Sequence, residues 1–155
     1  MCISFGTFRR YTPLQRGFGS TFGYLGGAQD YWLHGFAEPT AYLDFCEDNV
    51  PTFNHTCWQD DACGVEFYST HLFARRAIAI INAAAAAAAA TVAAAPLFLY
   101  IAWQSVHSVE GPDPQQLKAP QSYIDAFNDT IPNVDRRVFA AMTTTLDEGV
   151  GAYDK

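Results

Sequence analysis

The sequence has 155 residues, about one domain's worth, and 50% of them are hydrophobic with 15% aromatic, which excludes disorder of the whole chain. Its formal charge is −7 with nine Lys plus Arg, and the basic pairs Arg9-Arg10, Arg75-Arg76 and Arg136-Arg137 are scattered. A nucleic-acid surface needs clustered cations to displace phosphate counterions, so that class of partner is disfavoured.

In chain order, Met1 to Arg10 has no basic segment leading into a long apolar one and does not read as a signal peptide. From Tyr11 to Pro51 the chain is rich in glycine and aromatics, and Gly17, Gly19, Gly23, Gly26 and Gly27 interrupt any helical period. Loops and short extended pieces are predicted, packed loosely around a larger body. From Ser69 to Asn82, Leu72, Phe73, Ala77, Ile80 and Ile81 recur at helical spacing with Arg75 and Arg76 opposite, predicting a helix capped by Ser69 or Thr70. Residues 83–95 form an Ala-rich insertion into which the helix can continue, since alanine has the highest helix propensity. With the apolar residues after it, this stretch reaches the length of a membrane span, but alanine is weakly hydrophobic and Pro96 interrupts it, so no span is expected.

Pro96-Leu-Phe-Leu-Tyr-Ile-Ala-Trp103 is continuously apolar without alternation, which predicts a central strand covered on both faces. His107 follows just past its carboxyl end, where open α/β sheets bind ligands. A proline loop spans Gly111 to Pro120, and a last helix is predicted from Val134, capped by Asn133, with Val138, Met142, Leu146 and Val150 on one stripe. The fold class read from this order is α/β: a loop-rich segment over residues 1–67, then a helix–buried strand–helix unit over residues 68–155.

Eight stretches, in order, carry a resemblance: Arg16-Gly-Phe, Phe22-Gly-Tyr-Leu-Gly, Asp30-Tyr31, Tyr68-Ser-Thr, Phe73-Ala-Arg-Arg-Ala-Ile-Ala, Pro96-Leu-Phe-Leu-Tyr, Gln104-Ser-Val-His, and Met142 to Gly151. In these the chain resembles the type I sulfatases of the arylsulfatase B kind. The resemblance implies part of an alkaline-phosphatase-like domain and a secretory, extracellular or lysosome-like location. In the full-length family, sulfate esters are the substrates, and calcium with a formylglycine made from cysteine performs the hydrolysis. It implies that His107 contacts the sulfate group. It also implies that Cys46 and Cys57, eleven positions apart, close a small disulfide loop holding the sequon Asn54-His-Thr; a second sequon stands at Asn128. A short loop between cysteines in this context itself suggests an oxidising route. Zinc is the rival use of Cys46, His55, Cys57 and Cys63, but no Cys-x-x-Cys pair is present. Cys2 and Cys63 have no evident partner.

Most of the machinery the resemblance calls for is missing from these residues. No cysteine stands in a Cys-x-Pro-Ser-Arg context, and no Gly-Lys-Trp-His-Leu-Gly stretch precedes Pro13. Asp60-Asp61 and Asp48-Asn49 fall in the wrong order for the family's metal ligands, so no residue is assigned to a metal. Ser105 and His107 lack an orienting acid, and His34, His55 and His71 read as surface or loop residues. The expectation is a sulfatase piece inactive by itself and missing the remainder of its domain. The alternative is a non-catalytic protein that binds sulfated ligands or a protein partner.

Overall fold

The computed structural model describes residues 9–36, 42–57, 64–91, 93–109 and 116–154. Five short strands come first: β1 (Phe22–Tyr24), β2 (Gly35–Phe36), β3 (Tyr42–Leu43), β4 (Phe45–Glu47) and β5 (Val50–Pro51). Three helices follow: α1 (Ser69–Ala90), α2 (Gln121–Asp125) and α3 (Val134–Gly151). The strands form two antiparallel sheets, one ordered β1-β4-β5 and one pairing β2 with β3.

Asp48-Asn49, out of place as metal ligands, have a local task. Glu47 pairs with Val50, so the two residues between them are a two-residue hairpin loop. Both have positive φ, 51° and 65°, the requirement of the turn that matches strand twist. The Asp48 carboxylate accepts from the Thr21 amide at 2.7 Å, and the Asn49 carboxamide donates to the Thr12 hydroxyl.

The glycine-aromatic segment is not loosely packed, contrary to expectation. Tyr31, Trp32 and Phe45 are wholly or almost wholly buried. Tyr31 stacks on Tyr68 with centroids 4.9 Å apart, and Trp32 meets the same ring at 4.8 Å. These aromatics form one core with Cys57 and with Val138, Ala141 and Met142 of α3. Each large ring removes roughly 150–250 Å² from water, enough to fix a segment that has little regular structure. A second cluster sets Tyr24, Phe45 and Leu72 against Phe22 and Phe73.

Helix α1 forms where the periodicity places it and runs on through the alanines to Ala90. Its buried positions lie in its first half, at Ser69, Thr70, Leu72, Ala74 and Ala77, while almost all of residues 82–90 are exposed. The helix is long and apolar enough to cross a membrane by length and composition, yet its first half is committed to the core. The predicted cap is corrected: Tyr68 holds the N-cap position without a side-chain bond, because the Ser69 and Thr70 hydroxyls are used elsewhere. In α3 the Asn133 side chain accepts from the Arg136 amide at 2.9 Å, as predicted. The stripe at spacing four drifts by about 40° per step against 3.6 residues per turn. Burial therefore shifts from Val138 and Met142 to Thr145 and Gly149, leaving Val150 49% exposed.

The central strand is overturned. Residues 94–104 form neither helix nor strand and pair with no strand among the described residues, and Phe98 is 77% and Tyr100 67% exposed. The described strands pair only within their own short sheets. The arrangement is a mixed helix-and-sheet fold in which an unpaired apolar segment connects α1 to α2 and α3.

Candidate functional site

The apolar segment delivers the turn Gln104-Ser-Val-His107, which is gripped by side chains from two other parts of the fold. The Gln104 carboxamide oxygen accepts from the Ser69 hydroxyl at 2.6 Å and the Tyr24 hydroxyl at 3.0 Å. Its nitrogen donates to the Gln29 carbonyl. The Ser105 and Thr70 hydroxyls share a hydrogen bond of 2.6 Å. Ser105 is thus occupied by a threonine rather than by a base. The peptide joining it to Val106 is cis.

Tyr31 closes the turn from below. Its hydroxyl donates to the carbonyls of His107 at 2.9 Å and Gln104 at 3.3 Å. Burial pushes the Tyr31 phenol well above its ordinary pKa, with neighbouring Tyr68 adding to the rise, so the group stays a donor. Next to it Asp30 accepts from the Trp32 and Leu33 amides at 2.8 and 2.9 Å and pairs with Lys118 at 2.8 Å, almost out of water. Asp44 fixes the preceding loop by accepting from Leu25, Gly26 and Gln29. A Cβ on Gly26 would lie 2.7 Å from both the Asp44 Oδ2 and Gln29 Nε2 atoms, so a larger residue would displace the bonds they make.

His107 itself is exposed. Its amide donates to the Gln104 carbonyl, and its Nδ1 lies 2.6 Å from the Ser108 carbonyl. A carbonyl can only accept, so this contact puts the proton on Nδ1. His107 lines neither the groove formed by Phe22, His55, Leu72, Arg75 and Arg76 nor the one beside Asp135, Arg136 and Phe139. The histidines expected at the surface divide: His55 and His71 are half-buried, whereas His34 has no exposed surface. His34 donates through Nε2 to the Tyr31 carbonyl at 3.0 Å, and burial depresses its pKa to about 4.

The implied Cys46–Cys57 disulfide is absent. Cys46 is a free buried thiol, and Cys57 is disulfide-bonded to a partner outside the described residues. Strand alternation explains the failure. Phe45 turns its ring toward α1, so Cys46, its neighbour on β4, faces the other way, whereas Cys57 belongs to the core with Trp32 and Tyr68. Burial, with the charge of Asp44 adding, raises the Cys46 pKa. Both sequon asparagines are exposed. Asn54 sits in a turn, while the Asn128 side chain is engaged by Asp125 and Arg137. Cys2, Cys63 and Asp60-Asp61 lie outside the described residues.

No protein-family model matches the chain. Arylsulfatase J of Mus musculus is 33% identical over 138 residues, covering 89% of this chain. The chain carries a sulfatase segment. It spans 20% of the length of that relative. The crystal structure of Ps i-CgsB in complex with k-i-k-neocarrahexaose superposes with a TM-score of 0.65 at 22% identity, over 94% of this chain and 30% of that one, and shows that the fold is shared. The sulfatase resemblance is therefore borne out.

Sequence reasoning singled out His107 but not the residues that hold its turn. Tyr24, Gln29, Tyr31, Ser69 and Thr70 come from two segments 35 to 80 positions away from the turn they hold. The available signal was Ser69-Thr70 at the start of a helix, two buried hydroxyls where one cap suffices.

Proposed function

We propose that the protein containing this segment hydrolyses sulfate esters, that His107 contacts the sulfate group, and that the segment by itself has no such activity. The clamp on residues 104–107 carries the reading: four side chains and the Gln29 main-chain carbonyl fix the turn, and the imidazole at its end is exposed. With Nδ1 bound to a carbonyl, Nε2 is the nitrogen left to meet a ligand, and positioning of this kind precedes any acid–base or electrostatic role. An oligosaccharide bound to a solved structure of the same fold supports a sulfated sugar as the substrate class.

Family membership implies calcium and formylglycine, and the described residues do not fit them. They contain no group of three or more His, Cys, Asp and Glu side chains able to hold a metal ion. Asp48 and Asn49 are committed to a hairpin turn, and Cys46 is a buried thiol in a strand without the Cys-x-Pro-Ser-Arg context. The likeness to an arylsulfatase supports a secretory or lysosome-like location.

Purified chain assayed with an aryl sulfate is expected to show no turnover above background, since losing one member of a cooperative site already costs orders of magnitude. Turnover that disappears in His107→Ala would overturn the proposed inactivity. Transcript sequence on either side tests the larger reading. Cys-x-Pro-Ser-Arg upstream and an Asp-Asn pair downstream support it; stop codons on both sides favour a non-catalytic binder of sulfated ligands.

A further inference from the structure

A groove of about 210 Å³ lies between β1, the turn after β5 and α1, lined by Phe22, His55, Leu72, Arg75 and Arg76. Its two guanidiniums and its imidazole are held in place. The Arg76 guanidinium lies 5.0 Å over the Phe22 ring and pairs with Glu47. His55 meets Phe22 edge-on at 5.2 Å and packs on Phe45 at 5.8 Å. Arg75 donates one N–H to the Glu66 carbonyl at 2.5 Å.

Each of these groups retains unused donors. Among the described residues the His55 ring forms no hydrogen bond, and Arg75 spends only Nη2, whereas a guanidinium has five N–H groups. Among the described residues two guanidiniums face one carboxylate, Glu47, which leaves a local positive surplus in a chain of net charge −7. The imidazole registers that field. Burial lowers its pKa, Glu47 opposes, and Arg75 and Arg76 add to the lowering.

We propose that this groove binds the sulfate or phosphate group of a ligand through Arg75, Arg76 and His55. A guanidinium fork matches two oxygens of a tetrahedral oxyanion, and Phe22 and Leu72 form an apolar floor that keeps water from one side of the pair. Glu47 orients Arg76 but competes with the anion. The site does not include His107, so it stands or falls separately from the reading above.

The test is a histidine-selective NMR titration of the full chain with sodium sulfate, against sodium chloride at matched ionic strength. A saturable His55 shift with sulfate alone is expected. Arg75→Gln, which removes a surface side chain bonded only to a carbonyl, is expected to weaken binding roughly tenfold. Glu47→Gln is expected to tighten it, and His107→Ala to leave it unchanged. Equal shifts with chloride, or a titration undiminished in Arg75→Gln, overturn the site. A sulfated oligosaccharide that saturates His55 at lower concentration than inorganic sulfate identifies a sugar-borne group as the ligand; equal concentrations identify the free anion. Failure of both to saturate overturns the proposal.

Discussion

The Tyr31 hydroxyl donates to the main-chain carbonyl of His107 across 2.9 Å, linking residues 76 positions apart. It ties the exposed histidine to the best-buried ring stack of the molecule. Tyr31→Phe keeps the ring and removes the donor, so it is expected to cost about 1–2 kcal/mol by leaving a carbonyl unpaired. Urea denaturation measures this, and hydrogen exchange should show lost protection at residues 104–107 while α3 is unaffected. Unchanged exchange at the turn would refute the clamp.

The thiol chemistry is directly testable. Non-reducing peptide mapping is expected to find Cys57 in a disulfide, and Cys46 as a free thiol that reacts with alkylating agent only after denaturation. Cys46 is 8% exposed and its pKa is raised, so both access and thiolate fraction are low. A cross-linked peptide containing Cys46 and Cys57 would contradict the arrangement.

His34 makes stability depend on pH with a definite sign. Its folded pKa of about 4 is depressed below the ordinary 6.5, so between these values the unfolded chain takes up a proton that the folded one refuses. Stability should fall as pH drops through this window and level off below it, by about 3 kcal/mol in total from this residue. Half-buried His55 and His71, also depressed, act in the same direction. Denaturation midpoints at pH 7 and pH 4.5 in the parent and in His34→Gln test it: the variant should show the smaller difference.

Gly149 marks the closest approach of α3 to its neighbours. A Cβ there would lie 3.1 Å from the Trp103 ring and 3.6 Å from the Ala74 methyl. Gly149→Val is expected to destabilise by roughly 1–3 kcal/mol through overpacking. Gly151→Ala, whose Cβ would meet nothing within 4 Å, should leave stability unchanged or slightly raised. Thermal melts of the two variants should move apart.

What was legible in the sequence was local. The periodicity of Leu72 and Ala77 gave α1, and Asn133 before Val134 gave the start of α3, because caps and helical faces are written within a few residues. His107 was singled out by the resemblance of its tetrapeptide and by its place after the apolar run. What failed was non-local. An apolar run such as Leu97 to Trp103 reports that burial is wanted, not that covering strands are at hand. The spacing of Cys46 and Cys57 is silent about the strand pleat that turns one of them away. Glycine frequency around Tyr31 and Trp32 obscured that these rings are the centre of the core.

The unpaired segment between α1 and the Gln104 turn bears on how the molecule behaves in company. Between Arg76 and Glu110 the sequence has no Asp, Glu, Lys or Arg, so the chain's negative charge gives that region no electrostatic shield of its own. An uncharged, unpaired segment with Leu97, Phe98 and Tyr100 exposed is a surface on which a second chain can pack. The same segment is equally a surface on which the rest of a sulfatase domain can pack. A charge introduced at the outward-facing Phe98 should extend the soluble range without altering the helices.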